Sequence, residues 1–150
     1  MTRLVTLAHR VSSLYRRYSK IHRSVFAFSL SGLIPGRNGA KPRAACRYQY
    51  HLAELARELK EVQTLVAGDQ ELLPATTLGR EFTEALEQYM EALLDSIVQL
   101  EAICTRLCND SKGVDLYAED QSRDDRINYD RSVQIYQRCG ERLGLLFKRL

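Results

Sequence analysis

The feature that most constrains this chain is an unbroken run between residues 82 and 107 in which apolar side chains recur every three or four positions. This stripe consists of Phe82, Leu86, Tyr89, Leu93, Ile97, Leu100, Cys104 and Leu107. Good helix formers separate these residues and no proline follows Pro74, so the spacing predicts one amphipathic helix of about 30 residues. The acidic residues between them, from Glu81 to Glu101, predict an acidic solvent face.

Three other segments show the same helical spacing. The first follows Leu4, Leu7, Val11, Leu14, Tyr18, Ile21, Val25 and Phe28. The second begins at about Arg47, ends near Gly68 and follows Leu52, Leu55, Leu59, Val62 and Val66. The last follows Val133, Tyr136, Gly140, Leu143, Phe147 and Leu150.

The segments between these helices contain residues that begin or end helices. Pro74 and two threonines, Thr76 and Thr77, precede the long helix and predict an N-cap there. Gly113, in the polar segment 109–126, predicts its end. No strand pattern competes, so we expect an all-α fold: an elongated antiparallel helical hairpin or a three- to four-helix bundle with coiled-coil-like packing.

Charge divides the chain into two parts. Ten basic and no acidic residues precede Glu54, and the remainder holds twelve basic and nineteen acidic residues. The glycines and prolines of residues 32–42 predict a connector. We therefore predict a basic N-terminal helix and loop over residues 1–45, and an acidic helical bundle domain over residues 46–150.

Three roles are open for the basic N-terminal part. An Arg- and Ser-rich, acid-free amphipathic segment is typical of a mitochondrial targeting segment. It also suits a basic arm that contacts nucleic acid or an acidic partner, or an ordinary helix or poorly ordered extension. Direct nucleic-acid binding is the less expected of these contacts, because the tyrosines lie on the apolar stripe. No apolar run approaches eighteen residues, so no membrane span is expected.

The residue types that perform chemistry do not form a catalytic pattern. Cys104 and Cys108 lie one helical turn apart and suit a zinc site completed by His51 or Cys139. A disulfide-linked helical hairpin is a further alternative, but a small buried hydrophobic role is the better interpretation. No secretory signal accompanies the four cysteines, so we expect a reduced compartment and no disulfide framework. There is no glycine-rich phosphate loop. We expect no enzyme activity and no cofactor.

Part of the chain resembles a known family. The segment from Leu94-Asp95-Ser96-Ile97 through Arg106-Leu107 to Ser111-Lys112-Gly113-Val114 is similar to the cyclin-dependent kinase 2-interacting protein family. The last helix adds Tyr129, Ser132, Ile135 and Leu143, and together these segments lie within residues 80–150.

That resemblance implies a non-enzymatic adaptor in the nucleus. Its expected partners are cell-cycle and replication kinases and an AAA+ ATPase assembly that acts in ribosome maturation and DNA replication. The residues expected to form the core or to bind these partners are Leu93, Ile97, Leu100, Leu107, Lys112, Gly113, Tyr129, Ser132, Tyr136 and Leu143.

A second resemblance concerns the N-terminal helix. Leu14-Tyr15-Arg16 looks like the tripeptide of LYR-motif proteins, which are small mitochondrial helical assembly factors. This resemblance implies a mitochondrial location and an acyl carrier protein as partner.

Overall fold

Four helices account for almost all of the described chain. The structure is a computed structural model and describes residues 2–31, 41–68 and 76–150. Within these residues it contains no strand, and its helices are α1 (Thr2–Ser31), α2 (Lys41–Gly68), α3 (Thr77–Ser111) and α4 (Glu119–Arg149). The all-α prediction is confirmed, and the fold is a four-helix bundle.

Contacts between side chains show that neighbouring helices are antiparallel. Arg10 and Arg17 of α1 pair with Glu61 and Glu58 of α2, in reversed order along the chain. The same reversal relates α3 to α4, where Ser96 meets Ser132 and Gln88 meets Arg142. The most extensive packing is that of α3 against α2 and α4, while α1 packs on α2 and more lightly on α3.

The predicted apolar stripes form one core. Leu93, Ile97 and Leu100 of α3 are fully buried, as is Tyr129 of α4. The stripe of α2 is buried through Leu52, Leu55, Leu59, Val62 and Val66. The basic helix α1, which the charge pattern separates from the rest, contributes to this same core with Leu4, Leu7, Val11, Leu14, Tyr18 and Val25.

The ends of α3 follow the predicted signals. Thr76 is the N-cap, and its hydroxyl accepts a hydrogen bond of 3.1 Å from the Gly79 amide. After the C-cap Lys112, Gly113 adopts a φ of 70°, a left-handed conformation that glycine enters without steric cost. The predicted cap and helix stop are both confirmed.

Two helices begin earlier than predicted. Helix α2 begins at Lys41 rather than near Arg47, because Pro42 falls in the first turn, where its missing amide hydrogen is not needed. Helix α4 begins at Glu119, although residues 109–126 looked like a polar connector. Side-chain hydrogen bonds between residues one helical turn apart stabilise these polar first turns. One of them joins Gln121 to Asp125. Residues 32–40 of the predicted connector 32–42, and the segment 69–75 with Pro74, lie outside the described residues.

A disulfide bond corrects the expectation that the cysteines are reduced. Cys46 of α2 is bonded to Cys108 of α3, with a Cα–Cα distance of 4.9 Å. The early start of α2 brings Cys46 alongside the end of α3 in the antiparallel pair. Cys104 does behave as a small buried hydrophobic residue, and burial, followed by the nearby Glu101, raises the pKa of its thiol to about 12.

Candidate functional site

The residues predicted for partner binding fall into two groups. Most lie inside the bundle: Leu93, Ile97, Leu100, Tyr129, Ser132 and Tyr136 are buried, and Leu107 and Leu143 are partly buried. Lys112 and Gly113 instead lie exposed in the turn after α3. The sequence left two roles open for these residues, core formation and partner binding. The buried group forms part of the core.

Ser132 belongs to a buried hydrogen-bonded chain between α3 and α4. The Ser96 hydroxyl donates to the Ser132 hydroxyl at 2.9 Å, and Ser132 donates in turn to the backbone carbonyl of Tyr129 at 2.7 Å. Both hydroxyls therefore have partners, which removes the cost of burying them.

Tyr129 is the centre of a second polar cluster, which joins α4 to α1. Its hydroxyl lies 2.6 Å from His22 Nδ1 and also forms a hydrogen bond with the Tyr18 hydroxyl. Burial lowers the pKa of His22, and Arg126 lowers it further, which favours the neutral imidazole. The Tyr18 hydroxyl, the Tyr129 hydroxyl and His22 Nδ1 form one hydrogen-bonded chain between α1 and α4.

The hydroxyls of this cluster are poor proton donors to a substrate. Burial is the main cause that raises the pKa of Tyr18 and of Tyr129 well above the usual range. Aromatic contacts enclose the cluster, since Phe26 stacks on Tyr129 at 5.3 Å and the Arg126 guanidinium lies 3.8 Å from the Phe26 ring centre. The arrangement holds α1 against α4.

The sequence analysis did not single out His22. The available signal was spacing: His22 lies four residues after Tyr18 and four before Phe26, on one face of α1.

An apolar cavity of about 280 Å³ lies between α1 and α4, further along the same pair of helices. We call it the α1–α4 groove; its walls include Val11, Tyr15, Phe82, Tyr89, Leu143 and Phe147. Edge-on ring contacts flank it, with His9 and Phe147 6.0 Å apart and Tyr15 and Tyr136 6.1 Å apart.

Two glycines of α4 shape the α1–α4 groove. A Cβ at Gly140 would lie 3.1 Å from the Tyr89 ring, so this glycine lets the ring approach α4 closely. A Cβ at Gly144 would meet nothing within 4 Å, so the backbone of α4 is open to the groove at this point.

Among the described residues, neither a carboxylate nor a lysine or arginine lines the α1–α4 groove. The charged residues next to its lining in the sequence are of both signs and include Glu81 and Glu141. Arg10 and Arg17 pair with carboxylates of α2, whereas the exposed Arg16, next to Tyr15, has no ion pair among the described residues. On α4, the exposed Lys148 follows Phe147 directly and is likewise without an ion pair within the described ranges.

A second cavity, of about 440 Å³, lies between α3 and α4. Its charges are mixed: Arg106 pairs with Asp125, which also accepts a hydrogen bond of 2.6 Å from the Tyr117 hydroxyl. Partial burial raises the pKa of Asp125, but the bonds from Arg106 and Tyr117 outweigh it and hold the pKa below its usual value. Asp95 and Arg131 also line this cavity and form no ion pair among the described residues, so the cavity offers one such charge of each sign.

The described residues contain no cluster of three or more His, Cys, Asp or Glu side chains that suits a metal ion. The cysteine pair considered for zinc is divided, because Cys108 is bonded to Cys46 while Cys104 is free and buried. Over the described part of the chain, no helix is long and apolar enough to cross a bilayer.

No protein-family model matches the chain, and comparisons with curated proteins and with solved structures also find no match.

Proposed function

We propose that this chain is a non-enzymatic helical adaptor that receives a partner protein in the α1–α4 groove. The observation that carries the proposal is the groove itself, an apolar cavity of about 280 Å³. Elsewhere the bundle is self-sufficient, since every buried side-chain polar atom of the described residues has a hydrogen-bond partner. An apolar cavity in a bundle whose buried polar atoms all have hydrogen-bond partners suits the binding of a partner's apolar side chains.

The titratable groups that come together favour binding over catalysis. Tyr18, Tyr129 and His22 form a hydrogen-bonded chain. Burial raises the pKa of both tyrosines and lowers that of His22, so it favours the neutral form of each side chain. A general acid or base works best with a pKa near the operating pH, which the tyrosines lack.

The resemblance to the cyclin-dependent kinase 2-interacting protein family gives the proposal a setting. It would place the adaptor in the nucleus, with cell-cycle kinases, the replication machinery and an AAA+ ATPase assembly of ribosome maturation as partners. Residues 80–150, which carry the resemblance, form the α3–α4 pair, and Lys112 and Gly113 lie in the turn between its helices.

A mitochondrial assembly factor of the LYR-motif type is the second candidate. Leu14 is buried, Tyr15 lines the α1–α4 groove and Arg16 is exposed beside it, so the tripeptide lies at the candidate site. The expected partner of this factor is an acyl carrier protein.

Affinity capture of the tagged full-length chain from cells tests both settings. Mass spectrometry identifies the co-purified proteins and the N-terminal peptide, and alkylation without reductant shows whether Cys46 and Cys108 are bonded. An AAA+ ATPase or kinases with an intact N-terminus support the nuclear adaptor. An acyl carrier protein captured with α1 still present supports the mitochondrial factor instead. An N-terminus near residue 40 would remove all of α1, including Tyr15 of the groove, and would contradict the groove as the binding site.

A further inference from the structure

We infer that the cavity between α3 and α4 binds a free α-amino acid with an aliphatic side chain. Asp95 pairs with the ammonium group of this ligand, and Arg131 pairs with its carboxylate. The cavity is separate from the α1–α4 groove, so the inference goes beyond the proposed adaptor function and does not depend on it.

The cavity has the size and the walls of a small-molecule site. Its volume of about 440 Å³ lies within the range of about 300 to 1,000 Å³ that is common for such sites. Ala102, Ile103 and Ile135 give it an apolar wall, and Ile135 is 47% exposed. An aliphatic side chain that covers this wall removes apolar surface from water, which favours binding.

Four charged side chains line the cavity, and two of them already neutralise each other. Arg106 is paired with Asp125, which also accepts a hydrogen bond from the Tyr117 hydroxyl. The charges that a ligand can still neutralise are therefore those of Asp95 on α3 and Arg131 on α4, since neither forms an ion pair among the described residues.

The register of α3 against α4 separates Asp95 from Arg131. Each of them directly precedes one of the two serines, Ser96 and Ser132, that meet at 2.9 Å between the helices. Because the helices are antiparallel, the two charged residues lie in opposite directions from this serine pair along the bundle. They therefore present opposite charges to one cavity without pairing with each other.

Gln99 prepares the Asp95 carboxylate to receive an ammonium group. Gln99 Nε2 donates to Asp95 Oδ2 at 2.9 Å, which orients the carboxylate and leaves Oδ1 without a donor among the described residues. A charged donor suits this acceptor, because hydrogen bonds between charged groups are roughly twice as strong as those between neutral groups.

The two unpaired charges favour a ligand that carries both signs. A simple anion would pair with Arg131 and bring nothing for Asp95, and a simple cation would do the reverse. An α-amino acid has its ammonium and carboxylate groups on one carbon atom, and its side chain leaves from that same atom. It can therefore pair with both residues while its side chain packs on the apolar wall.

The test is a titration of the isotope-labelled full-length protein with L-leucine, followed through the backbone amide shifts by NMR. N-acetyl-L-leucine lacks the ammonium group, L-leucinamide lacks the carboxylate, and glycine lacks the side chain. We expect saturable shifts with leucine around Asp95, Gln99 and Arg131. We expect the two single-charge analogues to bind at least tenfold more weakly than leucine, and glycine to bind more weakly as well.

Matched variants assign each ligand group to a residue. Asp95→Asn and Arg131→Gln each remove one charge from the cavity, whereas Glu91→Gln and Arg138→Gln remove the same charges from exposed positions of α3 and α4 that do not line it. Each cavity variant should weaken leucine binding at least tenfold and each control less than twofold, with unchanged circular dichroism.

The loss in each cavity variant should also match the missing ligand group. Asp95→Asn should bind leucine no more tightly than N-acetyl-L-leucine, and Arg131→Gln should bind it no more tightly than L-leucinamide. Leucine binding that needs both ligand charges and both cavity residues supports the inference. Equal binding of leucine and either analogue to the wild type, equal effects of cavity and control variants, or no shift up to the solubility limit of leucine would each overturn it.

Discussion

The hydroxyl group of Tyr129 joins α4 to α1 through Tyr18 and His22. Tyr129 was predicted as one position of a helical pattern. Such a pattern does not show that the hydroxyl is buried and hydrogen-bonded to other side chains. That information depends on which residues of α1, more than 100 positions away, face α4 in the folded bundle.

Replacement of Tyr129 with phenylalanine should destabilise the protein. The change keeps the ring but removes the partner of two buried groups, which typically costs about 1 to 3 kcal/mol of unfolding free energy. Urea denaturation measures the loss, and Tyr50→Phe, at a position 64% exposed, is the control and should cost almost nothing. Equal effects of the two changes would show that the buried cluster adds no stability.

His22 should make the protein less stable in mild acid. Burial, together with Arg126 and Arg23, lowers its pKa below 6.5 in the folded state, although Asp130 opposes this shift. Between pH 6.5 and that lower pKa the unfolded chain binds a proton that the folded chain does not. His22 therefore does not reduce the free energy of unfolding above pH 6.5. As the pH falls from 6.5 to the lower pKa of the folded state, protonation of the unfolded chain reduces that free energy progressively.

The measurement is the free energy of unfolding at several pH values between 7.5 and 4.5. His22→Asn keeps a hydrogen-bonding side chain beside Tyr129 but does not titrate, so its stability should fall less steeply with acid than that of the wild type. His51→Asn, at an exposed position, should keep the wild-type slope. If His22→Asn also keeps that slope, His22 is not responsible for the acid sensitivity.

At the level of helices, apolar spacing predicted the long helix α3 well, because its stripe is continuous and its ends have strong signals in Thr76 and Gly113. The start of α4 was missed because its first turns are polar and gain support from pairs such as Gln121 with Asp125. The disulfide was missed because its partners are 62 residues apart and meet only through the register of α2 against α3.

Removal of that disulfide should weaken the α2–α3 pair. A bond that closes a loop of this length typically contributes about 2 to 4 kcal/mol, chiefly by restricting the unfolded chain. Cys46→Ser should therefore unfold at lower temperature than the wild type under non-reducing conditions. Cys139→Ser, which changes a free thiol, is the control.

A reductant gives an independent measurement. Treatment with tris(2-carboxyethyl)phosphine should lower the wild-type melting temperature to that of Cys46→Ser and leave the variant unchanged. A wild-type melting temperature insensitive to the reductant would contradict the prediction.

Across the whole molecule, composition and spacing predicted the fold class but not the role of α1. Its charge separates it from the rest of the chain, yet its apolar stripe from Leu4 to Val25 lies in the common core. The charged residues of a helix lie on its solvent-exposed faces. Whether its apolar face is buried depends on how the other helices pack against it.

Removal of residues 1–31 should therefore destabilise what remains. The shortened chain loses six buried hydrophobic side chains of α1 and exposes the surfaces that they cover, including those around Tyr129. We expect stronger binding of the dye ANS and a lower, less cooperative thermal transition than in the full chain. A shortened chain that melts like the full one would show that α1 is dispensable for folding.

The tyrosine cluster also gives the protein a built-in optical reporter. The chain has eight tyrosines and no tryptophan, and four of the tyrosines, at positions 15, 18, 129 and 136, meet where α1 rests on α4. Near-ultraviolet circular dichroism arises from aromatic rings held in fixed, asymmetric surroundings. Much of that signal should therefore disappear when α1 leaves the bundle, even while the far-ultraviolet helical signal persists, so detachment of one helix can be followed without a label.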